Sequence, residues 1–446
     1  MLVIAVLLTR LPWLAPGPGL DPDAYRVLAV AENIAATGKY AASRLPGYPL
    51  YEYLVAIFPW RESAYLTNGL TALFSALSAL FLALILHRLG VRHGFWLAFL
   101  FSLVPVILIN STVTMDYMIA LTFLLGAFLF AMSGRAGLAG LFIGMAIASR
   151  ITSAAMLIPL SLLLISREQS GQNRTAQSLA RLWGLALAVA GLFFVPVLAR
   201  YGPGFLTFHD KMPYPSPRQI LHLGVVNTWG GFSVVAWAIL LIGAFLPTTV
   251  RQARQALAAH GTVMAAAMLA VLLYVIAFLR LPHDPAYLIP AIPFVFLLMT
   301  LFYPPLLHLF AALALALAAF IGLSSDGISL RGPVLKAHTA RVDLRQRIRE
   351  VIGTSQRLPK DAVIVAGAYL PAIRYLLHHN QHGGPSRWIY LMESPEALAY
   401  HLRNGHPVYY LAEAKAFEQE VYGFDPLGAG ASLLPVVLAS EQERKD

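Results

Sequence analysis

The sequence holds no cysteine, so no disulfide framework, metal–thiolate centre or thiol nucleophile can enter its chemistry. No Gly-rich loop of the Walker or Rossmann type is evident, which argues against direct use of ATP or a dinucleotide. Charge is scarce as well: only 12% of the 446 residues are Asp, Glu, Lys or Arg, where an ordinary soluble domain carries about a quarter. Apolar side chains fill the space, at 58% of residues and a mean hydropathy of +0.67. That balance places the chain among integral membrane proteins.

Roughly eleven apolar stretches can be separated, most of them long enough to span a hydrocarbon core of about 30 Å. Their approximate bounds are 2–15, 64–86, 95–111, 117–132, 138–149, 151–166, 182–199, 229–247, 262–279, 287–303 and 306–323. The start has no basic n-region, so it reads as a first helix and not as a removable signal. Arg88, Arg92, Arg135, Arg167, Arg174, Arg181, Arg251 and Arg254 fall on one side in short connections that hold almost no acid. Their density predicts a cytoplasmic location for that side, with the C-terminus on the other. The net charge of +10 then answers to anionic lipid headgroups, and no nucleic-acid partner is implied.

The first outer loop, about 16–63, is far longer than the usual helix connection, and long loops are often functional. Asp21 reads as the cap of a helix with Pro22 at its first position, carrying Val27, Val30, Ala31 and Ile34 on one face. In the stretch Tyr40 to Glu52 the prolines and a glycine predict an irregular backbone. A second outer loop, about Tyr201 to Thr228, includes His209-Asp210-Lys211, and a third runs from Arg280 to Tyr287. After about Ser324 the apolar runs end. Helical spacing at Arg341 to Ser355, strand-like runs at Ala362 to Ala366, Trp388 to Leu391 and Pro407 to Leu411, and a capped helix from Ser394 to Asn404 predict a small α/β soluble domain over 324–446, following a membrane domain over 1–323.

Chemistry enters with the few charges near the predicted outer face. Counting spans puts Asp21, Asp23 and Asp116 on one side of the membrane, although an Asp-Pro pair is most often only a helix cap. Arg150 lies in a nearly unbroken apolar region, at the outer turn between two predicted helices. It is either a snorkelling loop residue or a ligand for a phosphate, to which the planar guanidinium fork is suited. His283 beside Asp284 resembles half of a base–orienter pair, and the histidines His87, His93, His378 and His379 show no recognisable metal spacing.

These residues together resemble the GT-C glycosyltransferases, in particular the branch of protein O-mannosyltransferases and lipid A aminoarabinose transferases. The features that carry the resemblance are the acid-bearing first loop, Met115-Asp116-Tyr117, Arg150, and His283-Asp284-Pro285-Ala286-Tyr287-Leu288-Ile289-Pro290 opening a late span. It covers about residues 1–323. It implies a polyprenyl-phosphate sugar donor, a lipid, glycan or protein acceptor presenting a hydroxyl, and an active site on the periplasmic face of a bacterial inner membrane. Members of the branch commonly carry Asp-Glu in the first loop; here the acids are split as Asp21-Pro22-Asp23, so either is a candidate base. A divalent metal near them stays open, and no other cofactor is implied.

The chemistry asks for the same parts. An acceptor hydroxyl must lose its proton as charge develops on the departing phosphate, so a carboxylate base and cationic partners suffice. The resemblance assigns Asp23 or Asp21 as base and Asp116 to positioning. It places Arg150, with Arg44, Tyr48, Arg280, His283 and Tyr287, at the donor. A competing class is a transporter or lipid flippase for an anionic substrate, but its polar groups are expected near the bilayer midplane, in paired repeats. Here they gather at outer loops.

Overall fold

The structure is a computed structural model that describes residues 1–167, 172–206, 214–324, 327–355, 358–359, 361–366, 369–380, 387–389, 404–411 and 433–436. The chain forms two compact units, one of Met1–Pro18 with Val30–His338 and one of Gly19–Ala29 with Thr339–Asp446. The expected helix from Ser394 and the cluster His209-Asp210-Lys211 lie outside the described residues.

The helices of the larger unit are α1 (Leu2–Arg10), α2 (Pro22–Thr37, whose residues up to Ala29 belong to the smaller unit), α3 (Pro49–Ile57), α4 (Ala64–Arg88), α5 (Gly94–Ser102), α6 (Pro105–Asn110), α7 (Tyr117–Met132) and α8 (Ala136–Ser149). They continue as α9 (Leu157–Arg167), α10 (Gln172–Tyr201), α11 (Pro217–Leu221), α12 (Val234–Ala244), α13 (Pro247–Arg280), α14 (Ile292–Phe302) and α15 (Pro305–Leu317). Among the described residues four helical segments, Ala64–Arg88, Arg174–Tyr201, Pro247–Arg280 and Pro285–Phe302, are long and apolar enough to cross a bilayer. The pair Pro217–Asn227 and Gly231–Ala244, bent by 79°, makes a fifth if it is one span, and shorter apolar helices accompany them. The protein is a helical polytopic membrane protein.

Proline sets several departures from the expected spans. The stretch 95–111 is two helices, because Pro105 has no N–H and drives Val104 into an extended conformation (φ −55°, ψ 136°). The carbonyl of Ser102, at the end of α5, accepts instead from Arg10 Nη2, and Arg10 is fully buried. In the first loop the irregular backbone ends at Tyr48 and not at Glu52, since Pro49 occupies the first turn of α3, where a missing N–H costs nothing. The expected span 262–279 is the second part of α13, which breaks at His260 (φ −134°, ψ 23°).

A close helix contact joins α8 to α10. Gly140 and Gly144 stand one turn apart on α8, and a Cβ at either would come within 2.7 Å of α10, at the carbonyl of Leu182 and at Cβ of Val189. Small residues at this spacing let two backbones approach, as in membrane helix pairs generally.

In the smaller unit a four-stranded sheet has the order β4-β3-β5-β6, formed by Val363–Val365 (β3), Arg387–Ile389 (β4), Val408–Leu411 (β5) and Leu433–Val436 (β6). Strands β1 (Gly322–Ser324) and β2 (Gly327–Ser329) form a separate hairpin in the larger unit. Strand β3 is parallel to both β4 and β5, and β6 closes the edge antiparallel to β5. All of Val363, Ile364 and Val365 are buried, as a central strand covered on both faces requires. They pack with Ile348, Val351 and Ile352 of α16 (Pro333–Ser355), Ile373 of α17 (Leu370–Asn380), and Tyr25.

Candidate active site

The site of the larger unit is built around the start of α7. The amide of Thr114 donates to the Pro18 carbonyl at 2.8 Å, and its hydroxyl donates to Asn68 Oδ1 at 2.9 Å. Asn68, buried in α4, donates in turn to the carbonyls of Leu14 and Gly17. These bonds fix the turn ahead of α7 and carry Asp116 into the interior, where it is fully buried.

A buried carboxylate is stable only with partners, and Asp116 has two. Its Oδ1 accepts from Arg44 Nη2 at 2.8 Å and its Oδ2 from Arg150 Nη1 at 2.6 Å. Arg150 adopts an extended conformation (φ −159°, ψ 109°) between α8 and a 3₁₀ turn, Ile151–Met156. Three tyrosine rings surround its guanidinium, with centroids at 4.1 Å (Tyr117), 5.1 Å (Tyr287) and 5.6 Å (Tyr48). Arg44 stacks on Tyr48 at 4.1 Å. Aromatic faces offset part of the lost hydration of each cation. The hydroxyl of Tyr117 donates to Asp284 Oδ2 at 2.5 Å, while Asp284 Oδ1 caps the turn by accepting from the amide of Ala286 at 2.8 Å.

Arg44 and Tyr48 reach this place because an acid inside the loop holds the backbone. Glu52 Oε1 accepts from the amide of Ser43 at 2.6 Å; its Oε2 accepts from the Tyr40 hydroxyl at 2.5 Å and from the amide of Tyr48 at 3.2 Å. Gly47 allows the turn between them with φ +92°, and a Cβ there would stand 2.9 Å from the Tyr40 hydroxyl. The end of α10 ties the same loop, through Arg200 Nη1 to the Tyr40 carbonyl at 2.6 Å and the amide of Ala42 to Tyr201 Oη at 3.0 Å.

A cavity of about 220 Å³ opens beside the cluster, lined by Tyr48, Arg150, Thr152, Tyr274 and Tyr287. Two guanidinium groups against one carboxylate leave a net positive charge, suited to an anion with several oxygens. Of the residues expected from the sequence, Arg44, Tyr48, Asp116, Arg150 and Tyr287 therefore come together. His283 lines a separate groove of about 890 Å³ with Tyr214, Arg218 and His222. Arg280 ends α13 and is exposed. Asp21 and Asp23 belong to the smaller unit. There Asp21 Oδ1 accepts from the amide of Asp23 at 2.9 Å, as a cap does, and Asp23 pairs with Arg26 at 2.9 Å. Among the described residues no group of three or more His, Asp or Glu is placed to hold a metal.

Sequence reasoning missed Glu52, Asn68 and Tyr117. Tyr117 had a signal, as the neighbour of Asp116. Glu52 and Asn68 had a weaker one, each being a polar side chain inside an apolar helix.

No protein-family profile matches the sequence, and no curated protein matches it. Solved structures do resemble the fold. ArnT from Cupriavidus metallidurans bound to undecaprenyl phosphate superposes with a TM-score of 0.59 at 14% identity, over 99% of this chain and 98% of that one. The same protein in its apo state gives 0.58 at 14% identity, over 98% and 97%. An oligosaccharyltransferase from Archaeoglobus fulgidus gives 0.47 at 14% identity, over 99% of this chain and 74% of that one. The likeness is one of architecture: this chain has the GT-C fold.

Proposed function

We propose that the protein is a glycosyltransferase that moves a sugar from a polyprenyl-phosphate donor to an acceptor hydroxyl at the outer face of the membrane. The observation that carries this reading is the Arg44–Asp116–Arg150 bridge, set among tyrosines beside a cavity, in a fold shared with a protein crystallised with undecaprenyl phosphate. The two arginines receive the donor phosphate. The acceptor oxygen attacks the anomeric carbon as its proton passes to a carboxylate, and the bond from that carbon to the phosphate oxygen breaks with its electron pair retained by the leaving polyprenyl phosphate. One displacement inverts the anomeric centre.

Asp116 is poorly placed to take the proton, since both its oxygens accept from arginines. The proton acceptor is assigned to the first-loop acids, with Asp23 ahead of Asp21 because Asp21 serves as a cap. Release of free polyprenyl phosphate from a panel of polyprenyl-phosphate sugars, with purified protein, is the test. Asp23→Asn should lower turnover by about 10² or more while donor binding survives, and Asp21→Asn should be milder because Asn caps a helix about as well as Asp. Near-normal turnover in both variants and in the double variant would take this loop out of the chemistry, and absence of release from every donor would sink the transferase.

A further inference from the structure

A second polar cavity lies at the opposite end of the same helices. Helix α4 leads away from the site for about 37 Å, at 1.5 Å per residue, to Arg88. The turn Leu89–His93 beyond it, the part of α13 that precedes His260, and the junction of α14 with α15 enclose about 490 Å³. Its polar groups come from Arg92, His93, Gln252, Gln255, His260, Thr300 and His308, and no carboxylate stands among the described lining residues.

His308 is 3% exposed, yet it lines this space. Its Nδ1 lies 2.9 Å from the Tyr303 carbonyl. A carbonyl only accepts, so Nδ1 carries the proton and Nε2 of the neutral ring is an acceptor. That Nε2 is buried and has no hydrogen-bond partner among the described residues. Gln252 arrives at the same polarity by another route: its amide nitrogen donates to the carbonyls of Thr300 (3.2 Å) and Tyr303 (2.7 Å), which leaves its oxygen as the group to offer. Two acceptors in the wall call for hydroxyl donors from a ligand.

Beside these acceptors stands positive charge. Arg92 is exposed in the turn, and α5 begins there with a cap residue, His93, that makes no side-chain hydrogen bond to the first turn. The first amides of a helix and its dipole favour an anion. Within two residues in sequence of the lining residues His93, Pro305 and His308, the side chains of Phe95, Leu306 and Phe310 are exposed, as is Trp96 next to Phe95, an apolar and aromatic set of the kind expected where a protein meets the interfacial layer of a bilayer.

We propose that this cavity binds the headgroup of an anionic phospholipid bearing free glycerol hydroxyls, with the phosphate against Arg92 and the start of α5, and hydroxyls donating to His308 Nε2 and Gln252 Oε1. A metal ion does not fit, since His93, His260 and His308 are not placed to share one. A headgroup ammonium would meet a cation and no carboxylate.

The test uses the purified full chain in detergent, with binding followed by tryptophan fluorescence. Dioctanoyl phosphatidylglycerol carries the headgroup, dioctanoyl phosphatidylmethanol has the same charge without hydroxyls, and sn-glycerol 3-phosphate has no acyl chains. The first should bind at least about tenfold more tightly than the second, since a hydrogen bond into a buried acceptor is worth roughly that factor. Arg92→Gln, at an exposed position, should weaken both lipids by about tenfold. His308→Phe should abolish the preference between them. Equal wild-type affinities for the two lipids would overturn the proposal whether or not the His308 variant folds, and so would unchanged affinity in Arg92→Gln. Binding of sn-glycerol 3-phosphate as tight as that of the lipid would replace a membrane ligand with a soluble one.

Discussion

Removing Arg150 has two consequences that must be separated, because the residue is both an ion-pair partner of Asp116 and the proposed phosphate ligand. Arg150→Ala should weaken donor binding by about 2–5 kcal/mol, and it also leaves Asp116 with Arg44 alone. Pairing it with Asp116→Asn removes the stranded charge. Thermal stability should then recover while donor use stays low; recovery of donor use as well would reduce Arg150 to a neutraliser of Asp116. Arg150→Lys should restore only part of the activity, since one ammonium cannot replace a planar fork stacked among tyrosines. Glu52 makes a different prediction. Burial holds its carboxyl above the ordinary carboxylate range, against the pull of donors from Ser43, Tyr40 and Tyr48. The folded state then binds the proton more tightly than the unfolded chain does. This contribution to stability is complete below the ordinary Glu value of about 4.3 and is lost as pH rises through the raised one. The unfolding midpoint of the wild type should therefore fall relative to Glu52→Gln as pH rises through that interval. A difference that stays constant with pH would mean that Glu52 is ionised in the folded loop throughout.

Among the elements, α8 joins packing to chemistry, since it presses on α10 through Gly140 and Gly144 and ends at Arg150. Gly144→Leu should cost about 1–3 kcal/mol or more through overpacking, and it should lower donor turnover by shifting the turn that aims Arg150. Gly137→Ala is the control: its added Cβ meets Leu185 at an ordinary 3.7 Å, so neutral or slightly raised stability is expected from the better helix former. Equal losses in both variants would show that α8 resists any added volume, whatever the contact. The elements also show what was legible. The helix from Pro22 and the strands at Val363 and Val408 follow from a cap and from runs of β-branched and aromatic residues, which are local signals. Arg150 and Asp116 stood out because charge is costly in an apolar setting. The break before Pro105, sealed by Arg10, and the Glu52 clamp were hidden, because each is completed by groups brought in by folding: Ser102 lies 92 positions from Arg10, and the amide of Ser43 is reached only when the loop turns back on α3. His283 was misleading for the same reason, since a sequence neighbour of Asp284 faces another groove.

At the scale of the whole membrane unit, two groups of polar and charged side chains stand at opposite ends of the helices, apart from the buried Arg10. Arg44, Asp116, Arg150 and Tyr287 gather where α7 begins and α8 finishes, whereas Arg88, Arg92 and Arg135 lie where α4 finishes, α5 begins and α7 passes to α8. Arg251 and Arg254, on α13 before its break, join the second group by chain direction, because α13 then runs to Leu281 beside the first cavity. Basic residues in short connections are retained on the cytoplasmic side, so the arginine–aspartate bridge should open on the other face. The absence of cysteine allows a clean measurement. Ala36→Cys, exposed near the end of α2, and His87→Cys, exposed near the end of α4, each supply a single thiol. An impermeant maleimide should label the first in intact cells and the second only after the membrane is permeabilised. The reverse pattern would turn the proposed site toward the cytoplasm and overturn an outer-face transferase. Labelling of both thiols in intact cells would mean that α4 does not cross the bilayer, and then the two groups of charges would share one face.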